Sequence, residues 1–150
     1  KVILIGPDEE AFSRVEPEFK EKVEFLSRER LLEMEETEVS AFVKNQVGEY
    51  PLYISIDKDV LCETDADTNW SQGDMRLSTM LECLGAVKEK CAERISRILG
   101  VDICGECDVT EPGNSALNDM ANAALLEFFT STDVGEDIEE NKNGTTGGNG

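Results

Sequence analysis

The chain reads as an α/β protein, a three-layer α/β/α arrangement around a mainly parallel sheet. Three observations predict this. Short apolar runs rich in β-formers recur along the sequence, at Val2, Ile3, Leu4 and Ile5 and again at Leu52, Tyr53, Ile54 and Ile56. Between them lie stretches whose apolar residues return at helical spacing. Strands that alternate with helices build βαβ units, and these favour parallel pairing.

The first run stops at Gly6-Pro7, as a buried strand ending in a turn would. Val23, Phe25 and Leu26 indicate a second, weaker strand. From Glu35 to Val47 the pattern is helical, with Val39, Phe42, Val43 and Val47 on one face. Glu33, Glu35, Glu36 and Glu38 read as a solvated helix start, favourable to the helix dipole. Pro51 to Ile56 reads as a buried strand. Ser78 can cap a helix with a stripe of Met80, Leu84, Val87 and Cys91. Ile95, Ile98, Leu99, Val101 and Ile103 mark the next strand region. Asn114 or Ser115 opens a last helix, with Leu117, Met120, Ala121, Ala124, Leu125 and Phe128 inward. Residues 1–130 are expected to form one domain, and 131–150, acidic and then Gly/Asn/Thr-rich, a disordered tail. Lys1 stands immediately before a strand-like run, so the chain is expected to begin partway through a larger protein.

Charge narrows the partners. Lys and Arg number 14 against 33 Asp and Glu, a net charge of −19. Such a surface repels phosphate backbones and anionic lipid, which disfavours nucleic acid and membrane, and it suits cations. No apolar run is long enough to span a bilayer. The five cysteines lack a framework spacing and fit reduced thiols in a cytoplasmic setting. Cys104 and Cys107 form a C-x-x-C without a second pair, and buried structural thiols are the simpler reading. Histidine is absent, which removes His bases and His metal ligands from this chain.

The chemistry concentrates at Asp57 and Asp59, directly after the third apolar run. On a strand, positions i and i+2 share a face, so both carboxylates converge at the C-terminal end, where α/β sheets bind ligands. Crowded carboxylates repel unless a cation or a shared proton lies between them, and all-oxygen donors suit a hard divalent ion. The plainer alternative is that each Asp caps a loop. Trp70, the only tryptophan, either lines a pocket over the loop that follows or anchors that loop on the core.

The segment Ser55-Ile56-Asp57-Lys58-Asp59-Val60-Leu61 is similar to the S-x-D-x-D metal motif of the arginase, agmatinase and formiminoglutamase family. Thr68-Asn69-Trp70 with Gly73-Asp74 stands in the place of that family's glycine loop, and Gly100 to Glu106 resembles its D-I-x-E strand. The helix from Asn118 to Phe129 resembles its closing helix. The resemblance implies a binuclear Mn2+ site, with Asp57 bridging the metals and Asp59 binding one of them. It implies hydrolysis of a C–N bond in a small cationic or guanidino-type substrate, with Glu106 holding the cationic group. Cys62-Glu63 replaces the family's Asp-Pro, and Glu106 lies one residue further from Asp102 than the family spacing. The family's upstream His and Asp-x-His-x-Asp ligands are not in this sequence. The chain is therefore expected to be a fragment that binds metal weakly and does not turn over substrate alone.

Two other readings stay open. The run from Leu52 to Leu61 also looks like the first motif of haloacid-dehalogenase-type phosphatases, in which Asp57 would be the nucleophile, Asp59 the acid/base and Mg2+ the cofactor. That family needs a later Lys and an acidic pair, whereas Lys88 and Lys90 fall in a helical pattern. The third reading is a non-catalytic interaction domain. Whether the chain forms a homo-oligomer is left open.

Overall fold

The computed structural model describes residues 1–93, 97–106 and 115–131. In chain order these form β1 (Val2–Ile5), α1 (Glu9–Ser13), α2 (Pro17–Lys20), β2 (Val23–Leu26), α3 (Arg28–Glu33), α4 (Glu36–Gln46), β3 (Leu52–Asp57), a 3-10 turn (Lys58–Val60), α5 (Leu77–Glu93), β4 (Ile98–Cys104) and α6 (Ser115–Thr130). The protein is a mixed α/β chain with parallel strands. β1 pairs with β2 and β3 with β4, both in parallel, as two separate two-stranded sheets. The expected tail after Ser131, and the expectations for Ile95, Cys107 and Asn114, lie outside the described residues.

Two groups of buried side chains organise the interior. Ile56 and Ile103 from the second sheet meet Met80 and Leu84 of α5 and Ala121 and Leu125 of α6. Leu26 of β2 joins Val39 and Val43 of α4, Val47 at the C-terminal cap of that helix, and Cys83, Ala86 and Cys91 of α5. The stripes expected on the helices at 35–47 and 78–91 are thus the faces that pack. Each fully buried Leu or Val contributes about 1.5–3 kcal/mol of transfer free energy. Among the described residues no helix is long and apolar enough to cross a membrane.

Local chemistry sets the ends of the elements. The Asp8 carboxylate accepts from Ala11 N at 2.6 Å to cap α1, and Ser27 Oγ accepts from Arg30 N at 3.2 Å to cap α3. These short helices escape a periodicity reading because neither is long enough to show a face. At the start of α4, Glu38 accepts from Glu35 N at 3.0 Å. Ser78, expected as the cap of α5, falls inside its first turn. Asp65 takes the role instead, accepting from Leu77 N at 2.8 Å.

Several expectations about burial need correction. The run at 51–56 is buried on one face only: Ile56 is 5% exposed, but Tyr53 is 66% exposed. Met120 of α6 is 69% exposed, because the buried line runs through Asn118, Ala121 and Leu125 and turns Met120 to solvent. Trp70 is 87% exposed and does not anchor its loop on the core.

Candidate functional site

β3 ends in Asp57, and the chain turns at once into the 3-10 segment that holds Lys58 and Asp59. Strand alternation therefore does not extend to Asp59. What joins the two residues is the turn itself: Asp59 N donates to Asp57 Oδ1 at 3.1 Å. Asp57 is thus a cap for this turn as well as a candidate ligand, so the plain and the functional readings apply to the same carboxylate. Asp59 Oδ2 accepts from Ser71 Oγ at 3.3 Å. Asp59 Oδ1 is buried and has no hydrogen-bond partner among the described residues. A buried, unsatisfied carboxylate oxygen is costly, which makes it a place where a cation would bind favourably.

The turn is held in place by the end of β4. Gly105 has φ +80°, and a Cβ built there would lie 2.7 Å from Asp57 Oδ1, 2.8 Å from Lys58 N and 3.0 Å from Asp59 N. A glycine is therefore required both by the backbone and by the approach. Nothing in the sequence marks Gly105 for this role, since a required glycine shows only once its neighbour across the sheet is known.

Lys58 points away from solvent and is fully buried. Its Nζ forms an ion pair with Glu106 and donates to Asn122 Oδ1 at 2.8 Å. Asn122 Nδ2 in turn donates to the same Glu106 Oε1 at 3.0 Å. The Lys58 bond above all holds the Glu106 carboxyl below its usual range; burial opposes it, and the Asn122 bond adds a smaller lowering. Glu106, expected as a substrate contact, is already charge-paired inside the chain.

The outward face of the β3–β4 pair carries further polar groups. The hydroxyls of Ser55 (2.7 Å) and Tyr53 (2.8 Å) both donate to Asp102, and lower its pKa in that order. Cys104 is exposed on this face, not buried as expected, because Val101 and Ile103 take the inward positions of β4. Desolvation, then the charges of Asp57, Asp102 and Asp59, raise the Cys104 pKa. Its thiol is accordingly a poor nucleophile near neutral pH.

The loop between the turn and α5 is fastened from several sides. Cys62 N donates to Met75 O at 2.8 Å and Met75 N to Val60 O at 3.0 Å. Gln72 Nε2 bonds Leu61 O at 2.6 Å and Ala66 O at 3.2 Å. Asn118, fully buried on α6, accepts from Asp67 N at 3.0 Å and donates to Asp67 O at 2.7 Å. The sequence showed only an Asn/Ala-rich helix there, with nothing to separate Asn118 from its neighbours.

Two carboxylates offer hard oxygen donors of the type a divalent ion takes, but they fill only part of its usual shell of six or so ligands. Among the described residues no group of three or more Cys, Asp or Glu is placed to hold one ion. In comparison with known proteins, the chain is 35% identical over 85 residues to an uncharacterized protein of Thermotoga maritima, a match covering 55% of this chain and 32% of that protein. The chain thus spans about a third of the length of the curated relative it matches. No family model matches the sequence, and no solved structure does.

Proposed function

We propose that the turn after β3 is part of a divalent-cation site, with Asp57 and Asp59 as ligands, in a metal-dependent hydrolase of the arginase-like type. The observation that carries this reading is the buried Asp59 Oδ1, which lacks a partner among the described residues. The parallel α/β framework, with Asp57 at the C-terminal end of β3 and Asp59 in the turn that follows, supports it. The three-layer architecture belongs to the same reading, as does Mn2+ as the metal. When bound, such ions supply a more acidic water and stabilise negative charge developing on the substrate. The reaction is hydrolysis of a C–N bond in a small guanidino-type compound.

In this reading Asp57 and Asp59 hold the metal, and Ser71 orients the Asp59 carboxylate through its second oxygen. Glu106, paired with Lys58 through Oε1, is the candidate contact for the cationic group of the substrate. The shell is completed by water or by groups beyond these two carboxylates.

The test is Mn2+ titration by calorimetry of the wild type and Asp57→Asn. Measurable binding by the wild type and its loss in the variant is the expected result. Asp57→Asn removes one ligand charge but keeps the shape, so identical Mn2+ binding by both proteins would defeat the assignment.

A further inference from the structure

Lysine is seldom fully buried unless its charge is paired, and Lys58 lies between the two candidate ligands with no exposed surface at all. Its ammonium joins three parts of the chain: the turn after β3, the segment after β4 through Glu106, and α6 through Asn122. These partners are 48 and 64 residues away in sequence. The Asn122–Glu106 bond closes the three groups into a ring. Among the described residues the only ion pair of Lys58 is with Glu106; neither Asp57 nor Asp59 lies within ion-pair distance of its ammonium.

We propose that Lys58 is a positioning residue, which anchors the Asp57–Asp59 turn from beneath by tying it to Glu106 and Asn122. The inference rests on the metal-site reading above. The backbone of Lys58 separates the two ligands by one residue on each side, so fixing its side chain fixes the turn from which both carboxylates project. Gly105 closes against the same turn from β4. Outer partners of this type commonly set metal affinity by 10–100-fold.

Charge and positioning make opposite predictions, which makes the idea decidable. Removing a positive charge close to a cation site should, by Coulomb's law alone, tighten cation binding. Removing an anchor should weaken it. The experiment is Mn2+ calorimetry on the wild type, Lys58→Met and Asn122→Ala, each also melted in the same buffer. A folded Lys58→Met protein that keeps its stoichiometry and binds Mn2+ about 10-fold or more weakly is expected, with a smaller loss in Asn122→Ala. Equal or tighter binding by folded Lys58→Met overturns the anchoring role while leaving the metal site standing. If wild type takes up no Mn2+, the site reading fails and this inference fails with it. If Lys58→Met does not melt cooperatively, Asn122→Ala decides, and unchanged affinity in that folded variant overturns the proposal.

Discussion

The buried ammonium of Lys58 is paired with the carboxylate of Glu106, whose side chain is 56% exposed. One end of this pair is inside the protein and the other reaches water. Its energetics therefore fall between those of a buried ion pair and those of a surface one, and the buried lysine is the partner that would lose more if the pair broke.

The pair should make stability depend on pH in a definite direction. The Glu106 pKa is lowered on folding, so its stabilisation is present above the ordinary carboxylate range. It is lost as pH falls through the lowered value. Urea unfolding of the wild type and Glu106→Gln should differ most near pH 7, with the wild type more stable, and converge in acid. A gap that widens on acidification would contradict the assignment.

Two glycine substitutions should move stability in opposite directions. Gly105→Ala places a Cβ against the Asp57 carboxylate at a positive φ and should cost about 1–3 kcal/mol. Gly85→Ala lies within α5, where a Cβ would meet nothing within 4 Å, and should add about 0.5–1 kcal/mol. Thermal melts of both variants provide the check, and a neutral Gly105→Ala would show that the end of β4 does not press on the turn.

Asn118→Ala should be among the more damaging single changes on α6. It strips the part-buried Asp67 N–H and C=O of their bonds to the fully buried Asn118 side chain, and polar groups left unsatisfied away from water cost about 1–3 kcal/mol each. A loss of about 2–4 kcal/mol in urea unfolding is expected. A loss under about 0.5 kcal/mol, within the scatter of ordinary surface substitutions, would mean that water replaces the side chain without penalty.

The interior thiols should resist alkylation. Burial, first, and Glu82, second, push Cys83 up to about 11, and burial also raises Cys91. At pH 8 the thiolate population of Cys83 is about 100-fold below that of a cysteine at the usual value. Mass spectrometry after brief iodoacetamide treatment should find Cys62 modified well before Cys83 or Cys91. Early labelling of Cys83 would mean that the contact between α4 and α5 opens readily.

The parallel α/β class, the four strands and the packed faces of α4 and α5 were legible in the residues themselves. Apolar runs and 3.6-residue spacing are properties of a short window, and burial of one helix face acts on that window directly. Asp57 and Asp59 stood out for the same reason, being two acids at the end of an apolar run. The fate of Lys58, Glu106, Asn118, Asn122 and Gly105 was not legible. Each depends on a neighbour tens of residues away, and a charged or amide side chain carries no local mark of the partner it will meet. The open side of β3 was hidden too, since Tyr53 is apolar enough to read as core and only the placement of the helices leaves it in water. Sequence alone determined the segments that become the four strands and the three long helices α4, α5 and α6. Tertiary structure decided which polar groups are buried and paired, because desolvation and hydrogen bonding depend on what surrounds a group in space and not on what adjoins it in the chain.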